Sequence, residues 1–287
     1  MNDLMSLLFE TNAFKICEEN KPFWYTSGKI GPYFINTHFL YGSSESAQEL
    51  LDFIDLQLET VPKDLIPSNL FEKVLAQYEN NAIYKTVVDN LKDFIETKID
   101  LSVIDYISGG ERRDWYFSII MAYLLGKPHI TIYKDLSAVV NTCDFEEATP
   151  VTNLSGKHVL HIADLITIAS SYLRSWIPAI KALDANIVTS IAVVDRMQGG
   201  NQVLNNLGIR SLSLLQINET LFEKAKALDI INDAQLEMLN NFAENPDTSM
   251  REFLIHHPEF LENSLNSNDA KTAKRAKLCK EQNLYNL

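Results

Sequence analysis

Three cysteines, Cys17, Cys143 and Cys279, are odd in number and widely scattered, which excludes a disulfide framework and a zinc cluster. A reduced, cytoplasmic protein is therefore expected. Basic charge is also scarce: 25 Lys and Arg against 38 Asp and Glu leave a net charge of -13. A nucleic-acid binder needs a basic face to neutralise phosphates, so no nucleic-acid partner is expected. Long apolar runs are missing, since residues 118–125 and 187–194 fall far short of the roughly 20 needed to cross a bilayer, and no membrane association is expected. The opening MNDLMSLLFETNAFK lacks a basic stretch and a small-residue cleavage site, so it does not read as a secretory signal. Internal repeats and low-complexity tracts are absent. What remains is 287 residues with 46% hydrophobic and 22% charged content, ordinary for a globular chain of one large domain or two small ones.

From about residue 102, short β-rich runs alternate with helix-like stretches, the pattern of an α/β domain with a largely parallel sheet flanked by helices. Strands are predicted over 102–107, 129–133, 158–163, 187–194 and 211–216. Helices are predicted over 114–125, over 171–183 with a kink or early start at Pro178, and over 202–207. Apolar periodicity over 47–58 and 70–83 predicts a helical insert before the sheet, and helical periodicity returns beyond Ile217. The resulting division is 1–101 for an N-terminal segment with the insert, 102–217 for the α/β core and 218–287 for a helical C-terminal extension. That extension is expected to pack on the sheet or on a second subunit. The basic run DAKTAKRAKLCKEQ (269–282) reads first as a solvated helix face.

Four segments could carry chemistry. In SGGERRDWYF, Ser108, Gly109 and Gly110 close a strand, and Glu111, Arg112, Arg113 and Asp114 open a helix. Arginines beside the positive end of a helix are unfavourable unless an anion sits there. Pairing of Arg112 and Arg113 with Glu111 and Asp114 is the alternative. In HIADLITIASS, Asp164 and the hydroxyls of Thr167, Ser170 and Ser171 follow a strand, where a parallel sheet binds its ligands. They suit a phosphorylated sugar, or else form a plain helix N-cap. The aromatic-rich stretch 22–42 could wall a pocket for a planar ring, form a core hairpin, or make a dimer contact. In VVDRMQGG, Arg196 could clamp a carboxylate, or Asp195 and Arg196 could simply pair. His158 and His161 are three apart on a strand and face opposite sides, so no metal site is expected. His256 and His257 suit helical packing, whereas His38 and His161 are candidates to line a pocket.

In this order the segments resemble the type I phosphoribosyltransferases, most closely the orotate phosphoribosyltransferases, over residues 20–42 and roughly 102–217. TSGKIGPYFIN is similar to the family's base-pocket segment, SGGERRD to its pyrophosphate loop, HIADLITIASS to its phosphoribosyl pyrophosphate (PRPP) motif, and VVDRMQGG to the segment whose Arg meets the orotate carboxylate. The resemblance implies a phosphoribosyltransferase-like α/β fold with the helical insert and extension as additions. It implies Gly109, Gly110, Arg112 and Arg113 at the pyrophosphate and Asp164 as the catalytic acid on the ribose hydroxyls. Thr167, Ile168, Ala169, Ser170 and Ser171 would meet the 5-phosphate, and Thr26, Lys29, Phe34, Ile35 and Arg196 the base. It also implies Mg²⁺ bound with PRPP, a homodimer, and a role in pyrimidine biosynthesis through transfer of a phosphoribosyl group from PRPP to orotate or a related base.

The chain departs from the family at identifiable positions. Ala163 stands where the motif has its first acid, Ala169 and Ser170 replace glycines, and Thr26 replaces a lysine. The segment that should bring cations over pyrophosphate, 136–153, has no Lys, Arg or His and carries Asp144, Glu146 and Glu147. Two further readings follow from these departures: a catalytically inactive sensor or regulator that binds PRPP or a nucleotide, and a phosphoribosyl enzyme acting on another base.

Overall fold

The computed structural model describes residues 4–151 and 153–287; Thr152, in the 136–153 segment, lies outside the described residues. In chain order the elements begin with α1 (Leu4–Glu10), β1 (Phe14–Ile16), β2 (Phe23–Trp24), β3 (Ile30–Gly31), β4 (Tyr33–Ile35), α2 (Ser44–Thr60), α3 (Ile66–Asn80) and α4 (Ala82–Lys98). The sheet region follows as β5 (Tyr106–Gly110), α5 (Trp115–Leu124), β6 (His129–Ile132), β7 (Ala138–Asn141), β8 (Ala148–Pro150), β9 (His158–Ile166), α6 (Ile177–Ala182), β10 (Asn186–Asp195), α7 (Gly200–Asn206) and β11 (Arg210–Gln216). Five helices close the chain: α8 (Glu219–Ala227), α9 (Asp233–Glu244), α10 (Pro246–His256), α11 (Pro258–Leu265) and α12 (Ala270–Glu281). Among the described residues no helix is long and apolar enough to cross a membrane.

Two compact units form, one from residues up to Ala13 with Asn36–Ile217, the other from Phe14–Ile35 with Asn218–Leu287. The first is built on a seven-stranded sheet in the order β11-β10-β9-β5-β6-β7-β8. Strands β11 to β6 run parallel, and β7 and β8 add an antiparallel edge. The central strands are apolar along their length because both faces are covered; Ile107, Val159, Leu160, Ile162 and Ile191 have no exposed surface. Helix α5 is buried from Trp115 to Ala122, so it has no polar face. From β5 the chain winds one way to β6 and the other way to β9, which makes the gap beyond the carboxyl ends of β5 and β9 the topological switch point where such sheets bind ligands.

Several boundaries differ from the sequence expectation for local reasons. Asp100 caps a short 3-10 turn over Leu101–Val103 by accepting the Ser102 N–H at 2.9 Å, so the strand predicted over 102–107 starts at Tyr106. It ends, as expected, on Ser108, Gly109 and Gly110, the two glycines pairing with Thr131 and Ile132. The periodic stretch 70–83 is broken by Asn81, which ends α3 and caps α4 with its side chain on the Tyr84 N–H. The helix predicted over 171–183 is a π turn (Tyr172–Trp176) followed by α6, with Pro178 in the first turn of α6, where a missing N–H costs nothing. Segment 136–153, for which no strand is predicted, supplies β7 and β8. Its turn is anchored by Phe145, stacked on Phe71 at 4.8 Å, with the Phe145 carbonyl accepting from Ser68 Oγ at 2.8 Å.

In the second unit the aromatic stretch is a small β framework. Strand β1 pairs with β4, and β2 pairs with β3. These strands pack on the closing helices: Phe14 stacks on Phe222 at 6.3 Å, Trp24 on Phe260 at 5.7 Å, and Tyr33 meets Phe242 edge-on at 5.5 Å. The Trp24 indole donates to Ser264 Oγ at 2.9 Å, and Arg275 donates to the Trp24 carbonyl at 2.9 Å. Residues 14–35, read with the insert as part of 1–101, thus fold with residues 218–287, and what the extension packs on is this segment.

Candidate functional site

The carboxyl ends of β5 and β9 open on a pocket of about 500 Å³. One side is the turn of Glu111, Arg112, Arg113 and Asp114; the other is the run from Ala163 to Tyr172, with Lys134 and Trp176 completing the wall. Both glycines of β5 are needed for this closeness. A Cβ on Gly109 would run into Ser118 Oγ, and one on Gly110 into the Trp176 ring. The Glu111–Arg112 peptide that follows is cis.

The four residues of the turn take different partners from those a local pairing would give. Arg112 is bound by the Asp55 carboxylate of α2. Glu111 pairs with Lys134 at 3.1 Å and also accepts the Lys134 backbone N–H at 3.1 Å. Arg113 is exposed and makes no ion pair among the described residues. Asp114 is buried and points inward, its Oδ2 accepting the Gly110 N–H and its Oδ1 the Asp164 N–H, each at 3.0 Å. Behind it, His161 Nε2 lies 3.5 Å from Asp114 Oδ2, and His161 Nδ1 is 2.9 Å from Ser108 Oγ.

Asp164, the last acid of β9 before the turn, is pushed up to about 7 by burial first and by the charge of Asp114 second, against the opposing pull of Arg113. The following turn offers Thr167, Ser170 and Ser171, whose hydroxyls have no hydrogen-bond partner among the described residues; Ser171 does not cap the π turn behind it, so the plain N-cap reading fails here. Ile168 is 56% exposed, while Ala169 is buried with a φ of +58°, the left-handed conformation that a glycine would adopt freely. The Thr167 carbonyl accepts the Gly200 N–H at 2.9 Å and the Ile166 carbonyl the Arg196 N–H at 3.0 Å, which ties this turn to the one after β10.

Of the remaining expected residues, Arg196 does not line the pocket. The Asp195 carboxylate accepts the Met197 N–H at 2.8 Å and a proton of the Asn201 amide. Thr26, Lys29, Phe34 and Ile35 belong to the second unit. There Lys29 binds Asp247 at 2.6 Å, Phe34 packs against Phe23 and Tyr25, Ile35 pairs with Phe14 in the β1–β4 ladder, and Thr26 borders a concavity with α12. His38 is buried and held down to about 3 by burial, then by Arg113 and Arg112, so it stays neutral. His161 lies beneath the pocket and does not line it. Among the described residues no three His, Cys, Asp or Glu side chains converge on a metal site. Sequence reasoning missed Lys134, Trp176 and the inward role of Asp114; the position of Lys134 two residues beyond the end of β6 was the available signal.

No protein-family model matches the chain, and no curated protein matches it. Its fold is similar to that of UMP synthase from Leishmania donovani, with TM-score 0.56 and 16% identity over 84% of this chain and 41% of that one. It is also similar to orotate phosphoribosyltransferase from Francisella tularensis (0.52, 15% identity, 84% and 96%) and from Aeropyrum pernix (0.50, 19% identity, 78% and 99%). The chain therefore spans less than half of the UMP synthase and nearly all of the other two. With the pocket at the switch point of the sheet, these likenesses establish that the chain has the type I phosphoribosyltransferase fold.

Proposed function

We propose that the pocket binds PRPP and that the protein transfers its phosphoribosyl group to orotate or a related base, releasing pyrophosphate. The observation that carries this reading is the convergence, across one switch point, of cations on one side and a hydroxyl-lined turn with an acid on the other. The free hydroxyls of Thr167, Ser170 and Ser171 and the N–H groups of their turn suit the 5-phosphate. Asp164 accepts from the ribose hydroxyls, and Arg113 and Lys134 face the pyrophosphate. Mg²⁺ would enter on the oxygens of PRPP itself, supplying charge to the leaving group. A ring nitrogen of the base, already ionised by loss of its proton to solvent, then forms a bond to C1 as the bond from C1 to the pyrophosphate oxygen breaks, with the electron pair leaving on pyrophosphate. The work of the protein is to position the two partners and stabilise that charge.

A specific observation favours a second reading, a non-catalytic sensor of the same ligand. Arg112 is occupied by Asp55, and the segment that should carry cations is an acidic hairpin packed on α3. A phosphorus NMR time course with Mg-PRPP and orotate decides between them. New pyrophosphate dependent on the protein supports transfer; PRPP line broadening without it supports the sensor; neither change removes both.

A further inference from the structure

The floor of the pocket holds two carboxylates that come from different strands. Asp114 arrives from the turn after β5, and Asp164 from β9, where the neighbouring position that is acidic in the resembled proteins is Ala163. Asp114 is pinned by two backbone hydrogen bonds, from the Gly110 N–H and from the N–H of Asp164 itself, and His161 Nε2 lies 3.5 Å away. The pinning sets the Asp114 carboxylate against the backbone of Asp164, close enough for its charge to act on the Asp164 side chain, in a pocket that Tyr172 and Trp176 also line. Two such charges repel strongly at short range, and one proton shared between them removes the repulsion.

We propose that Asp114 and Asp164 form one carboxylate pair holding a single proton, and that a ribose phosphate entering the pocket draws that proton in from solvent. This rests on the phosphoribosyl reading of the site. The proton bonds to a carboxylate oxygen of Asp164 and is donated to Asp114, and no other bond changes. Uptake, and not release, is the direction because the ligand brings negative charge against the pair. The other charged and titratable groups around it act as follows. Arg113 pulls towards ionisation, Lys134 is paired with Glu111, and Arg112 with Asp55. His161 faces Asp114 from β9, and the Tyr172 hydroxyl is engaged by Ser190 Oγ at 2.6 Å. Buried His38 lies beyond Arg113 and is neutral.

The raised titration of Asp164 sets the pH window. Above pH 7 a sugar phosphate is already dianionic, so any fall in affinity there reports the pair. The test uses the full chain and two readouts. First, carbon NMR of aspartate-labelled protein without ligand should show one carboxyl titrating near neutral pH, which moves into the ordinary acid range in Asp114→Asn and vanishes in Asp164→Asn. The second variant leaves the backbone contacts of Asp114 intact and so guards against misfolding of the first. Second, calorimetry with ribose 5-phosphate, without metal, in two buffers of different ionisation enthalpy should show uptake approaching one proton at pH 8. Affinity should fall on the order of tenfold between pH 7 and 9 in the wild type and stay flat in Asp114→Asn. No aspartate titrating above pH 5.5, or a titration indifferent to Asp114→Asn, overturns the pair. Binding with no proton exchange overturns the linkage. Failure of the wild type to bind ribose 5-phosphate at all overturns the phosphoribosyl reading and the uptake together, while the first readout still decides the pair.

Discussion

Ala169 shows how much of a binding turn depends on one Cβ. The residue sits at φ +58° in the middle of the turn after β9, buried, where a left-handed backbone costs an L-residue about 1–2 kcal/mol. Glycine would remove that cost but add unfolded-state freedom and lose a buried methyl group, so Ala169→Gly should change stability by under ~1 kcal/mol, measured by urea denaturation. A loss above ~2 kcal/mol would mean that the methyl contacts dominate. Gly110 is the opposite case. A methyl group there meets the Trp176 ring, and Gly110→Ala should destabilise by ~1–3 kcal/mol and distort the pocket wall, visible as a change in Trp fluorescence. An unchanged midpoint and spectrum would show that Trp176 can move aside.

At the scale of elements, the β7–β8 hairpin depends on Phe145. Its ring is 2% exposed and stacked on Phe71, so Phe145→Ala should cost ~3–5 kcal/mol of stability and open the connecting turn to proteolysis. Equal resistance to protease in the variant would sink that account. The parallel strands and α5 were legible in the sequence because long apolar runs between turn signals have few other interpretations. The hairpin was not, since AVVN and ATP are too short to show a period and their pairing is decided by β6 and α3. At the pocket, Asp164 and the hydroxyl turn could be read from their place after a strand. The inward turn of Asp114 could not, because it depends on two backbone N–H groups from strands that are about 50 residues apart in the chain. The π turn over Tyr172–Trp176 was not legible either: its two rings meet His161 of β9 at 5.0 and 6.3 Å, contacts that local sequence does not display.

For the molecule as a whole, buried histidines set the acid limit. His38 and His129 are both held down to about 3, chiefly by burial, and His129 is fixed between Thr131 Oγ1 at 2.9 Å and Ser118 Oγ at 3.0 Å. Both charge in the unfolded chain near pH 6.5 but not in the folded one. The stability they allow is therefore complete above pH 6.5 and is lost as pH falls from there towards 3, with a slope of up to about 2.7 kcal/mol per pH unit from the two together. Denaturation midpoints from pH 7 to 4.5 should fall steeply, and His129→Gln should flatten the curve; a flat wild-type profile over that range would contradict the assignment.

The composite second unit also has a history in time. Its β framework is made early and its helices last, with roughly 180 residues of intervening chain. At typical translation speeds Phe14, Trp24 and Tyr33 leave the ribosome about 10–40 s before Phe222, Phe242 and Phe260 exist to cover them. During synthesis these three rings stay uncovered until α8, α9 and α11 have emerged to pack on them.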